Sequence, residues 1–225
     1  MILIMDSAPR IALRDVSVIR GGHVALREVT LAFAPSTATA LVGPNGSGKT
    51  TMLEVLAGLR SPTSGLVHGD GSTVALVPQR HARSWMPLTV SEVLRMARFR
   101  PTVVPRRLGA HDHAAVDGAA GRLGVRALLD RPLDQLSFGQ RQRVLVAQAL
   151  AREADVLLLD EPITGLDLLS QERILAVIEE ERHDGRTVVL TTHHLDEARH
   201  CDEVVVLDGR LVAVGPPDDV LVPAV

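Results

Sequence analysis

The sequence predicts an α/β fold in which helices cover both faces of a mainly parallel sheet and a helical segment is inserted. First, short and continuously apolar segments such as Ala38–Val42 and Val156–Leu159 have the pattern of strands buried on both faces. Second, such segments alternate with longer helical patterns, which is typical of βαβ units. Third, the middle of the chain changes character, because short helical patches there are broken by Pro101, Pro105 and Pro132.

Two alternating segments, Ile11–Val18 and Val24–Phe33, come before this region and are expected to form N-terminal antiparallel strands. The next strand leads through a glycine-rich loop into a helix from Lys49 to about Leu59, whose end is signalled by Gly58 and Pro62. The remaining elements are expected in this order: strand Thr73–Val77; helices Val90–Phe99, Ala114–Leu123 and Gly139–Arg152; strand Val156–Leu159; helix Leu168–Arg182; strand Thr187–Thr191; helix Leu195–His200; and strands Glu203–Leu207 and Leu211–Val214, joined by a turn at Asp208-Gly209.

The length of 225 residues and the composition, 46% hydrophobic and 23% charged, predict one globular domain. We expect a core of about residues 1–79 and 152–225 and a helical subdomain of about 80–151. The formal net charge of −3 gives no global basic field, so nucleic acid is not an expected partner. The single cysteine, Cys201, excludes an internal disulfide framework. Because no run of about 18 apolar residues occurs, we expect a chain that does not span a bilayer.

A glycine-rich segment carries the clearest chemical signal. It fits the pattern G-x-x-x-x-G-K-[ST] between a predicted strand and a predicted helix, which is the context of a phosphate-binding loop. Its backbone N–H groups would face phosphate oxygens, Lys49 would reach the β- and γ-phosphates, and the Thr50 hydroxyl would coordinate Mg²⁺. Lys49 is the only lysine of the chain, which suggests a site that needs a compact ammonium. The expected ATP-binding residues here are Gly43, Pro44, Asn45, Gly46, Ser47, Gly48, Lys49, Thr50 and Thr51.

Two acids follow the apolar strand Val156–Leu159. Ligands of open α/β sheets bind at the carboxyl ends of the strands, so Asp160 and Glu161 are expected at the same site. Asp160 would hold Mg²⁺, mainly through water. Glu161 would polarise the attacking water as a general base.

A third motif, Leu136-Ser137-Phe138-Gly139-Gln140, precedes a predicted amphipathic helix. With it, the sequence resembles the ATP-binding subunits of ABC transporters, whose LSGGQ signature is LSFGQ here. The resemblance implies a P-loop NTPase with a RecA-like parallel-sheet core and an inserted ABC α-helical subdomain. It also implies a head-to-tail sandwich with a second copy, in which Ser137, Gly139 and Gln140 bind the nucleotide held by the other copy. Phe138 departs from the family pattern.

Further family motifs occur in the family's order. Gln79 is at the Q-loop position, where the side chain senses Mg²⁺ and the attacking water, and Gly165-Leu166-Asp167 matches the D-loop. His193 is at the position of the switch histidine that contacts the γ-phosphate, and His194 follows where the family often has Asp. Arg20 is at the position of the aromatic residue that usually stacks on adenine, and we expect its planar guanidinium to replace that ring.

The transported substrate is indicated by resemblance alone. Pro78-Gln79-Arg80 with Trp85, Pro87–Val90, Glu92-Val93, and the ending Arg210–Pro217 resemble zinc- and manganese-type importers, whereas Met96–Phe99 lacks the glycine usual there. This implies a peripheral subunit on the cytoplasmic face of the cell membrane. Its partners would be integral-membrane permease subunits and, indirectly, an extracytoplasmic metal-binding protein.

The sequence leaves one alternative function open and disfavours another. An ATPase subunit of an exporter for drugs, lipids or haem stays open as the alternative. A soluble ABC ATPase acting on nucleic acid is disfavoured, because the chain shows no second nucleotide domain, no long coiled coil and no basic surface.

Three remaining features are expected to have no function in the site. His111-Asp112-His113 lacks further metal ligands nearby in sequence and reads as a polar loop. Arg106-Arg107 is expected to be solvated, and Cys201 to be an ordinary buried thiol.

Overall fold

The centre of the molecule is a six-stranded sheet. The structure is a computed structural model that describes residues 9–79, 88–99 and 107–221. The strands of the described residues are β1 (Ile11–Arg20), β2 (His23–Phe33), β3 (Ala38–Val42), β4 (Ser64–Gly69), β5 (Val74–Val77), β6 (Val156–Asp160), β7 (Thr187–Thr192), β8 (Glu203–Leu207) and β9 (Leu211–Gly215). The central sheet has the order β5-β6-β7-β3-β8-β9, and its strands are parallel except for the antiparallel pair β8–β9.

Seven helices are assigned in the described part of the chain, together with 3₁₀ turns at Arg126–Leu128 and Leu133–Gln135. They are α1 (Lys49–Leu56), α2 (Val90–Met96), α3 (Ala110–Arg122), α4 (Phe138–Ala151), α5 (Leu168–His183), α6 (Leu195–Ala198) and α7 (Pro217–Val220). Helices α2, α3 and α4 lie between β5 and β6 in the chain, where a helical insertion is predicted. Among the described residues, no helix is both long enough and apolar enough to cross a membrane.

The central strands are buried on both faces, as their continuous apolar sequences predict. Along β6, Leu157 and Leu159 pack into one core with the inserted helices, and Val156 and Leu158 pack into the opposite core with α1 and the N-terminal strands. Such double burial is what parallel strands covered by crossover helices require. The predicted α/β core with N-terminal antiparallel strands and a helical insertion is therefore confirmed.

A second, antiparallel sheet has the order β2-β1-β4. The strand β4 is absent from our prediction, because all six of its residues are exposed and its sequence shows no alternation. It exists through its pairing with β1, in which Leu13 lies opposite Val67. Only the tertiary context therefore makes this segment a strand.

Several helix bounds differ from the prediction. Helix α1 ends at Leu56 instead of Leu59, and Gly58 is in the left-handed region at φ 70°. Helices α2 and α6 end at Met96 and Ala198, earlier than expected. Helix α3 begins at Ala110, four residues earlier than expected. The predictions that involve Arg80, Trp85, Pro87, Pro101, Pro105 and Arg106 lie outside the described residues.

Candidate active site

The predicted site residues follow strands that end at one edge of the central sheet. Strands β5, β6, β7 and β3 are parallel neighbours, so their carboxyl ends meet there. Gln79, Asp160, His193 and Gly43 each lie at or within two residues after the end of one of these strands. The sheet topology therefore brings together motifs that are up to about 150 residues apart in sequence.

The phosphate-binding loop is held close to its surroundings at two glycines. A Cβ atom on Gly43 would lie 2.1 Å from the Leu207 carbonyl oxygen, and one on Gly48 would lie 2.5 Å from that of Ala25. Gly48, at φ 99°, is the N-cap of α1 and supplies no side-chain hydrogen bond to the first turn. The first N–H groups of α1 are thus free of a side-chain cap and can bind an anion.

The side chain of Lys49 lies within this loop and is buried. Its Nζ donates to the carbonyl oxygens of Gly43 at 2.6 Å and Pro44 at 2.9 Å. Burial lowers the pKa of the ammonium, while the charges of Glu161 and Asp160 act in the opposite direction. The two carbonyls leave one of three ammonium donors for a phosphate oxygen.

Asp160 is the best-connected acid of the site and is 3% exposed. Its Oδ2 accepts a hydrogen bond from the Thr50 hydroxyl at 2.8 Å, and its Oδ1 accepts one from the Thr191 hydroxyl at 2.6 Å. The Asp160 carboxylate and the Thr50 hydroxyl thereby link strand β6 to helix α1, and both groups offer hard oxygen ligands. A pair of this kind suits Mg²⁺, which prefers carboxylate, hydroxyl and water oxygens.

Glu161 has an unusual backbone conformation at the start of the turn after β6. Its φ is 49°, in the left-handed region that non-glycine residues seldom adopt. Its N–H donates to the Thr191 hydroxyl at 2.8 Å, and its Oε2 lies 3.9 Å from Nδ1 of His193. The Glu161 carboxylate is 11% exposed and the His193 side chain is 43% exposed, so a half-exposed histidine lies beside a largely buried carboxylate.

Arg20 lies at the tip of the β1–β2 hairpin. Gly21 and Gly22, both at positive φ, form its two-residue turn, which places Arg20 directly opposite His23. The hairpin adjoins the phosphate-binding loop through Ala25. Because a strand rises about 3.3 Å per residue, the tip is about 7 Å further along β2. Arg20 is exposed at this tip.

The LSFGQ motif forms a second cluster. Ser137 is the N-cap of α4, its hydroxyl accepts from the Gln140 N–H at 3.2 Å, and its own N–H donates to Gln140 Oε1 at 3.1 Å. A Cβ atom on Gly139 would lie 2.6 Å from Asp167 Oδ2 of the D-loop match. Phe138 is 59% exposed beside it. Within the described residues, no hydrogen bond joins this cluster to the phosphate-binding loop.

The phosphate-binding loop with Lys49, Thr50, Asp160 and Glu161 forms the first cluster, and these residues fit an ATP molecule with Mg²⁺. The buried Ser47 hydroxyl has no hydrogen-bond partner among the described residues, which fits a loop built around an anion. Gln79 is exposed at the same edge of the sheet.

Sequence reasoning missed Thr191, because a threonine inside a β-rich segment is typical of any strand. Only its register opposite Asp160 distinguishes it.

The predictions for the segment His111-Asp112-His113 and for Cys201 have different outcomes. The segment His111-Asp112-His113 belongs to the first turn of α3, so its interpretation as a polar loop was wrong. No group of three or more potential metal-ligating side chains occurs in the described ranges. The interpretation of Cys201 is confirmed, because the thiol is buried and burial raises its pKa to about 12.

A phosphate-binding loop between a buried strand and a helix, with two acids at the end of a nearby parallel strand, defines the P-loop ATPases. The profile of the ABC transporter family matches residues 26–164, and the chain belongs to this family. It is an ATP-binding subunit that hydrolyses ATP.

Related proteins include two metal transport subunits. The manganese transport system ATP-binding protein of Halalkalibacterium halodurans is 33% identical over 223 residues, 96% of this chain and 89% of that protein. The zinc import ATP-binding protein of Yersinia enterocolitica is 36% identical, over 92% of this chain and 80% of that protein. The cobalamin import ATP-binding protein of Halobacterium salinarum is 44% identical, over 81% of this chain but 49% of that protein.

The fold also has solved counterparts. A dimeric bacterial ABC transporter cassette superposes with a TM-score of 0.80 at 27% identity, covering 92% of this chain and 98% of that chain. The similarity therefore covers nearly all of both chains.

Proposed function

We propose that this subunit powers an importer of a divalent metal such as zinc or manganese. The observation that carries the proposal is the similarity to manganese and zinc transport subunits over nearly the whole chain. The subunit would act at the cytoplasmic face of the cell membrane, bound to integral-membrane permease subunits. An extracytoplasmic metal-binding protein would deliver the metal to those permeases without contacting this chain.

The roles proposed for the individual residues follow from the geometry of the first cluster. The loop N–H groups and Lys49 would bind the phosphates, and Thr50, Asp160 and Gln79 would hold Mg²⁺. When bound, Mg²⁺ neutralises charge on the β- and γ-phosphate oxygens. Glu161 would orient and deprotonate the attacking water, and its largely buried carboxylate lies 3.9 Å from Nδ1 of His193.

A second copy would complete the site. In a head-to-tail sandwich, the start of α4 would present the Ser137 hydroxyl and the Gly139 N–H to the γ-phosphate bound by the other copy. Gln140 supports this arrangement by closing the capping box with Ser137. Removal of the γ-phosphate by hydrolysis would remove those contacts, so that the dimer opens. The chain would function as one domain, with a core of about 1–79 and 152–225 and a helical subdomain of about 80–151.

The contact with adenine would come from Arg20. A guanidinium plane over a base contributes about 0.5–2 kcal/mol, less than the phosphates and Mg²⁺ together. We expect Arg20→Ala to weaken ATP binding without abolishing it.

The test is the metal content of the source organism under metal limitation, with Glu161→Gln replacing the wild-type subunit. A matched control is Glu172→Gln, which removes the charge of an exposed glutamate on α5. Loss of the general base should lower cellular zinc or manganese, and the control should not. A rise of a metal would indicate export. Unchanged metals with reduced cobalamin uptake would overturn the metal assignment and leave the ATPase assignment intact.

A further inference from the structure

The hydroxyl of Thr191 lies between the two acids of the active site. Thr191 is fully buried. It forms the last residue pair between β6 and β7, in which it is in register with Asp160. Its Oγ1 donates to Asp160 Oδ1 at 2.6 Å and accepts the N–H of Glu161 at 2.8 Å. The Thr191 hydroxyl thus donates its single proton to the Asp160 carboxylate and accepts the backbone N–H of Glu161 with a lone pair.

The first bond fixes the orientation of the Asp160 carboxylate. With Oδ1 on Thr191, the other oxygen is directed to the Thr50 hydroxyl at 2.8 Å. Rotation of the carboxylate would break both bonds. A hydrogen bond that orients a metal-binding carboxylate from behind commonly changes metal affinity or activity by about 10- to 100-fold when it is removed.

The second bond anchors the strained backbone of Glu161. A non-glycine residue at φ 49° keeps that conformation only when its surroundings hold it. The bond to the Glu161 N–H comes from a residue on the adjacent strand, and β7 is itself paired on both sides. The position of the Glu161 carboxylate, 3.9 Å from His193, therefore depends on Thr191.

We propose that Thr191 is a positioning residue for ATP hydrolysis, acting through Asp160 on Mg²⁺ and through Glu161 on the attacking water. The inference rests on the roles proposed above for these two acids. It assigns to Thr191 an effect on hydrolysis and on the Mg²⁺-dependent part of ATP binding. Binding of ATP without Mg²⁺, which depends on the loop and Lys49, is unaffected.

The experiment compares Thr191→Val, Thr191→Ser and the control Thr187→Val. Thr187 is on the same strand, is equally buried, and donates one hydrogen bond of 2.7 Å to the Ala34 carbonyl. Each valine variant therefore removes a buried hydroxyl from β7, but only one of them is next to the acids. The measurements are kcat and KM, the Mg²⁺ concentration for half-maximal rate, and the affinity for a fluorescent ATP analogue with and without Mg²⁺.

We expect Thr191→Val to lower kcat, or the gain in analogue affinity caused by Mg²⁺, by about 10- to 100-fold. Thr191→Ser should restore both, Thr187→Val should leave both unchanged, and Mg²⁺-free binding should be the same in all. Circular dichroism verifies the fold of each variant. If the valine variant does not fold, Thr191→Ala tests the same hydroxyl.

Three results would overturn the inference: normal hydrolysis and Mg²⁺ response in Thr191→Val, no recovery in Thr191→Ser, or an equal loss in Thr187→Val. Glu161→Gln, measured in parallel, separates this inference from the proposed function. If Glu161→Gln still hydrolyses ATP, the role proposed for Glu161 fails. If it is inactive while Thr191→Val is normal, only the role of Thr191 fails.

Discussion

The stability of the inserted helices should depend on Arg98, which joins three of them. Its Nε donates to Asp112 Oδ1 at 2.9 Å in the first turn of α3, and its Nη1 donates to the Ala151 carbonyl at 2.9 Å at the end of α4. Nη1 also lies 2.7 Å from Glu153 Oε2. The Arg98 side chain is 10% exposed and that of Asp112 is 3% exposed, so this pair is buried.

The expected cost of Arg98→Ala follows from that burial. Breaking a buried ion pair by removing one partner costs about 3–5 kcal/mol. Asp112 keeps the N–H of Gly109 at 2.8 Å, which favours the lower end of this range. The bond to Glu153, which is 35% exposed, adds about 0–1 kcal/mol. For a protein of this size, 3 kcal/mol corresponds to a fall in Tm of about 6–12 °C.

Urea unfolding followed by circular dichroism measures this free energy, with the slope of the transition showing whether unfolding remains two-state. The control is Arg126→Ala. Arg126 makes two bonds to the Asp117 carboxylate, at 2.9 and 2.7 Å, and one to the Asp117 carbonyl at 3.2 Å. Both side chains are more than half exposed, so its loss should cost about 0–1 kcal/mol. A cost below about 1 kcal/mol for Arg98→Ala, or equal costs for both variants, would refute the argument from burial.

Three further outcomes are expected. Gly139→Ala should lower ATPase activity and remove about 1 kcal/mol of stability, since its Cβ would displace the Asp167 carboxylate that caps α5. The control is Gly118→Ala, in open space on α3, which should stabilise the protein by about 0.5–1 kcal/mol in the same urea assay. Because the pKa of Cys201 is raised from 9.0 to about 12 in the folded state, only the unfolded chain releases this proton between those pH values. Stability should therefore fall across that window, and Cys201→Ala should have a smaller slope in urea unfolding against pH; equal slopes would contradict the burial effect. Glu161→Gln should form a dimer with ATP in size-exclusion chromatography, and a monomer under Mg²⁺-free ATP would count against closure by γ-phosphate contacts.

Local motifs of this protein could be read from the sequence because their geometry is local. The phosphate-binding loop needs glycines, one lysine and the start of a helix within eight consecutive residues, and the structure places Lys49 on the loop carbonyls. The N-cap at Ser137 with Gln140 three residues later is equally local, and α4 begins within one residue of the prediction.

Contacts between distant segments decided the rest. All six residues of strand β4 are exposed and the strand is defined by its pairing with β1, so no hydrophobic pattern in the sequence indicates it. The first turn of α3 forms around Asp112 because Arg98 and the Gly109 N–H satisfy its carboxylate, and a tripeptide with two histidines does not show this partner. Thr191 became part of the site through the register of β7 against β6. Sequence patterns encode what a segment can become, whereas pairing and burial between segments set which polar groups meet, and that depends on the whole fold.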